Sequence, residues 1–126
     1  MQASSAGELP SLSEPVNNNS EWIASREYVL HYSDSRVPSN IVAYLGRPGM
    51  DSSPGGVPGT WRCRLLLRDT GRDDRSYDAM GIDAIQSMRV AMHILRAWIE
   101  SMPSEREGAT HIEWAGGPGS GLPSLE

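Results

Sequence analysis

Lysine is missing from this chain altogether, and cysteine occurs once, at position 63. A single thiol cannot close an internal disulfide, so packing has to hold the fold together. All eleven basic residues are arginine. A GC-rich genome and a selection for planar, bidentate contacts explain that bias equally well. Positive charge is also outweighed: sixteen acidic residues leave a formal net charge of −5. That balance argues against a general binder of nucleic acid or of anionic membranes, both of which reward excess positive charge. No apolar run approaches the roughly 18 residues that span a bilayer, so no membrane helix is expected. The opening residues have neither the basic nor the apolar region of a secretory signal, and a cytoplasmic location is the expectation.

What the chain does contain falls into three parts. Residues 1–20 are rich in Ser, Asn and Pro and poor in bulky apolar side chains. Such a segment cannot bury enough surface to offset the entropy of ordering it, and disorder is expected there. Residues 116–126 (GGPGSGLPSLE) have the same character and read as a flexible tail. Between them, residues 21–115 are long enough for one α+β domain.

Within that domain, residues 22–32 are rich in β-formers, and 40–45 form a second strand with apolar residues on both faces. The Pro- and Gly-rich stretch from Arg47 to Thr60 follows as a long loop. The third strand, Trp61–Arg68, alternates most clearly. Trp61, Cys63, Leu65 and Leu67 point one way, while Arg62, Arg64, Leu66 and Arg68 point the other. A hairpin leads to a shorter strand over 75–80. The helix is expected from Ala84 to Met102, with Asp83 as N-cap, Gln86 completing a capping box and Pro103 as the stop. Its inward face would carry Ile85, Met88, Ala91, Leu95, Trp98, Ile99 and Met102. A last short strand covers 110–114. The order β-β-β-β-α-β implies a mainly antiparallel meander with one long amphipathic helix on one face.

No catalytic, cofactor or metal site emerges. Cys63 alternates inward between Trp61 and Leu65 and reads as a buried, inert thiol. His31, His93 and His111 lack the i, i+4 spacing of a helical metal site, and His93 falls on the helix's solvent face. His31 and His111 could meet only if the first and last strands pair. Asp69, Asp73, Asp74 and Asp78 crowd one hairpin without the spacing of a calcium loop and read as a solvated turn. GGPGSG has no helix after it to cradle a phosphate. A nucleic-acid-binding sheet would need exposed aromatics between its arginines; Tyr44 could serve, though a place inside the sheet explains it as well.

The pieces YLGRP at 44–48, WRCRLLL at 61–67, YDAMGIDAIQSMRVAMHILRAW at 77–98 and HIEWAGGPGSGLP at 111–123 resemble a family of small bacterial proteins. The resemblance covers most of residues 21–123. Its most specific element is the helix entry Gly81-Ile-Asp-Ala-Ile-Gln86. The family has no assigned activity, so the resemblance supports the architecture and carries over no catalytic residue.

Function is therefore expected from surfaces. The leading expectation is a non-enzymatic module that binds a protein partner or itself through Arg62, Arg64, Leu66 and Arg68, an apolar centre rimmed by arginine. A second is a small-molecule (anion) binder or weak enzyme in which the 47–60 loop and Arg47 form the site. A third, permitted by the acidic balance, is the neutralisation of a toxin or effector.

Overall fold

The computed structural model describes residues 21–51 and 55–125. The expected disorder of residues 1–20 lies outside them. Among the described residues, seven strands and one helix form an α+β domain: β1 (Trp22–Tyr32), β2 (Ser39–Gly46), β3 (Gly49–Met50), β4 (Trp61–Asp69), β5 (Arg75–Gly81), α1 (Ala84–Glu105), β6 (Ala109–Trp114) and β7 (Gly117–Pro118). All strand pairs are antiparallel. β5 pairs with β4, β4 with β2, β2 with β1, and β1 with β6; β3 extends β2 along the start of β4, and β7 lies outside β6.

The five longer strands lie where alternation predicts them. The strand order differs from the simple five-strand meander, because β3 and β7 add two-residue pairings inside Gly- and Pro-rich segments. A two-residue bridge has no periodicity to read. The closing strand pairs with the first: Leu30 stands opposite Ile112, and His31 opposite His111.

α1 covers one sheet face. Tyr28, Leu30, Ile41, Cys63, Leu65, Ala79, Ala91 and Ile99 are almost wholly buried in the layer between them. Asp83 caps the helix as expected, its carboxylate accepting the Gln86 N–H at 2.8 Å. The Gln86 side chain reaches back to the Ile82 N–H, also at 2.8 Å, one residue short of the usual capping-box partner. Gly81 explains the rest of this entry: a Cβ there would lie 2.5 Å from the Ser87 backbone nitrogen.

Two helix expectations need correction. That close approach turns Ser87 inward (0 % exposed), so Ile85, which periodicity places on the inner face, is 71 % exposed. Pro103 also fails to stop the helix, which runs on to Glu105 with Arg106 as C-cap. A proline within the last turn forfeits one hydrogen bond there, and the Arg106 N–H still closes on the Met102 carbonyl at 3.2 Å.

Residues 116–125, expected to be a flexible tail, pack against the domain. Ser120 is fully buried. Its carbonyl accepts from the Tyr28 hydroxyl at 2.6 Å and from Arg26 at 3.2 Å. Its hydroxyl donates to Glu100 Oε2 at 2.7 Å. The glycines make this path possible, because the tail wraps the Trp114 indole. A Cβ on Gly116 would meet that ring at 2.2 Å, and one on Gly121 (φ +67°) at 2.5 Å.

The latch between Ser120 and Glu100 is acid-sensitive. The Ser120 hydroxyl is the main influence holding the Glu100 carboxyl below its ordinary 4.5, against the opposing effect of burial. A depressed folded-state pKa contributes stability that is present above the unfolded value and lost as pH falls through the folded one. The Glu100 side chain is 40 % exposed, so the global effect is small. The amide protons of residues 119–122 should lose exchange protection as pH falls below the ordinary glutamate value of 4.5, before those of β1 and β2. Glu100→Gln should remove that pH dependence.

Candidate functional site

Three arrangements on the sheet could carry function. The first is the arginine row of β4 on the face away from α1. Arg64 is 3.2 Å from both Asp78 and Glu21, Arg62 is 3.7 Å from Asp78, and Arg68 is 3.5 Å from Asp74. Leu66 between them is only 7 % exposed, grouped with Trp22, Val42 and Tyr44 in a second small core. The expected interface thus has no exposed apolar centre, since Leu66 is buried. The Tyr44 hydroxyl is buried with no hydrogen-bond partner among the described residues. Burial raises its pKa, with Arg68 opposing.

At the end of this row, Arg47, Arg62 and Arg64 share a cavity of about 110 Å³ with Glu21, Gly49 and Met50. Arg47, the candidate residue of the 47–60 loop, lines this cavity beside Arg62 and Arg64 of β4. Glu21 stands in the cavity wall, however, and Asp78 engages both Arg62 and Arg64. These carboxylates compensate charge that an anion would need.

Cys63 is inert. It is fully buried, its thiol donates to the Gly46 carbonyl at 3.4 Å, and burial pushes its pKa up to about 11. A thiol in that state supplies almost no thiolate at neutral pH. Of the hairpin carboxylates, Asp73 and Asp74 are exposed, as expected of a solvated turn, and Asp69 is the exception. Asp74 and Asp78 pair with the β4 arginines, and Asp69 is buried against Arg106 at the end of α1.

The second arrangement is the margin of the sheet at β5. This strand pairs with β4 over seven residues, with no register shift, and no strand borders its other side among the described residues. Tyr77 (57 % exposed), Met80 (40 %), Ile82 (78 %) and Ile85 (71 %) follow one another along the strand and the turn into α1. The two charges that could guard this edge are engaged. Arg75 lies over the Trp98 ring at 4.5 Å, and Asp78 faces the β4 arginines. The opposite margin is covered at one end: β7 pairs with Glu113 and Trp114, and the Gly119 N–H donates to the Ile112 carbonyl at 3.0 Å.

The third is a cluster of His31, His111 and Glu113 that the β1–β6 pairing assembles. The same parity is visible in the sequence, but the pairing is not. No helix among the described residues is long and apolar enough to cross a membrane.

A family model described as a domain of unknown function, DUF6968, matches residues 24–124. That span includes every element from β2 to β7, α1 and nearly all of β1. No curated protein and no solved structure matches the chain.

Proposed function

The chain belongs to the DUF6968 family, and from that premise we propose that it is a non-enzymatic self-association module joined to a second copy through β5. The observation that carries this reading is the unblunted edge of β5, which is regular, free of proline and lined by exposed Tyr77, Met80, Ile82 and Ile85. Proteins ordinarily guard such an edge with charge, proline or a bulge, because its free N–H and C=O groups template another strand.

An isologous pair would run β5 antiparallel to its copy and keep both helices on one side, which requires residues of like parity to stand opposite. Centred on Asp78, that pairing sets two carboxylates face to face. Centred on Tyr77, it sets the two tyrosines opposite and places Ser76 across from Asp78. The second register avoids the repulsion and adds an aromatic pair.

Sedimentation velocity on the full chain over a concentration series tests this. The wild type should dimerise, and Tyr77→Lys with Met80→Lys should be monomeric, with the unfolding midpoint of wild type diluted to its monomer, because both side chains are exposed. A wild type that stays monomeric throughout, or a double variant that still dimerises, would overturn the proposal. Leu66→Asp is unsuited to the purpose, since a charge buried at that site would threaten the fold itself.

A further inference from the structure

We infer that His31, His111 and Glu113 form a binding site for a divalent first-row transition ion of the zinc type, independent of the β5 edge. Antiparallel register places His31 directly opposite His111, and strand alternation brings Glu113, two residues further along β6, to the same face. The two imidazoles stack with centroids 4.5 Å apart and planes 15° from parallel. One ligand atom from each of the three residues falls within 4.8 Å of the others.

The donor set selects the ion. Two imidazoles and one carboxylate suit zinc, copper, nickel or cobalt, whereas calcium and magnesium require oxygen ligands throughout. Around a tetrahedral zinc, donors at 2.0–2.1 Å lie roughly 3.3 Å from one another. The cluster therefore has to close by roughly 1–1.5 Å, a movement within reach of side-chain rotation. The side chains are free to make it: His31, His111 and Glu113 are 31 %, 56 % and 46 % exposed.

The surrounding contacts already favour ligation. The Thr110 hydroxyl lies 3.0 Å from His111 Nδ1 and occupies that nitrogen, which leaves Nε2 for the metal. Glu113 Oε2 lies 2.9 Å from His31 Nε2 and Oε1 3.9 Å from His111 Nε2, so the carboxylate reaches toward both ring nitrogens. An ion bound at His31 Nε2 replaces the hydrogen bond between His31 and Glu113, and the neutral ring keeps its proton on Nδ1. That exposed contact is a weak competitor. Three protein ligands leave a coordination position open, as in zinc sites that hold water or an exchangeable anion. A cavity of about 360 Å³ adjoins Glu113, lined also by Glu27, Val29, Asn40 and Val42, and it gives such a ligand room.

The test is calorimetric titration of the untagged full chain with Zn²⁺, followed by the histidine ring signals in NMR. One ion per chain is expected, with the rings of residues 31 and 111 shifting together and that of His93 unmoved. His31→Ala or His111→Ala should weaken binding by more than about 100-fold, and Thr110→Val by about 10-fold. His93→Ala should bind like wild type. Failure to take up zinc at equimolar concentration would overturn the assignment. So would retention of zinc by the His31→Ala/His111→Ala variant with its circular dichroism intact.

Discussion

Arg106→Ala should destabilise the domain by about 3–5 kcal/mol, the largest loss expected from any single polar substitution. Arg106 caps α1, and its guanidinium donates to Asp69 Oδ2 at the end of β4, joining helix and sheet where the core ends. The side chains are 12 % and 5 % exposed. Burial by itself would lower the arginine's pKa, but hydrogen bonds and charge from Asp69 and Tyr32 outweigh it and raise the value. Removing the arginine strands a desolvated carboxylate whose other oxygen already has no hydrogen-bond partner among the described residues. The pair itself is worth much less than its rupture. Asp69→Leu combined with Arg106→Met should therefore recover most of the loss. Urea unfolding of the two single variants and the double variant closes the cycle, and additive losses would count against a coupled pair.

Leu95→Ala should cost about 2–5 kcal/mol, whereas Ile85→Ala should cost almost nothing. Leu95 is 3 % exposed at the centre of α1. It already borders a cavity of about 180 Å³ shared with Ala43, Leu45, Met92 and Leu122, so truncation enlarges an existing void. Ile85 is helical and apolar but lies about 80° round the helix from Leu95, at the edge of the same stripe, and it points to solvent. At 4–8 °C per kcal/mol for a domain of about this size, thermal melts separate the two outcomes easily.

The contrast between Leu95 and Ile85 shows how far the pattern of residues can be read. Periodicity places both on one stripe. The approach of Gly81 to Ser87 sets the buried side of the first turn at Ser87, which leaves Ile85, at the edge of the stripe, facing away. The alternation of β4 was fully legible and went further than first apparent. Asp69 continues the inward series Trp61, Cys63, Leu65, Leu67, so its burial was encoded in the same parity. What hid it was composition, since an aspartate among Thr, Gly and Arg reads as a turn. The tail was illegible for a different reason. Its order comes from hydrogen bonds between residues 92–95 positions apart and from glycines fitted to one indole, neither of which leaves a local signal. The histidine cluster and the open β5 edge share this dependence on long-range pairing. Each needs knowledge of which strands are neighbours, and alternation supplies only which face a residue takes.

The pairing of β1 with β6 also constrains the order in which the domain can be completed. β1 is made first on the ribosome, and the strand that covers one of its edges is the last long one to emerge. Through the synthesis of residues 33–108, that edge stays available to whatever strand comes near. Domains dominated by such distant pairings fold in milliseconds to seconds, slowly enough for competing partners to matter. A nascent chain stalled before residue 109 would present two open sheet margins, β5 and the uncovered side of β1. It should then be a far better substrate for chaperones than the finished domain.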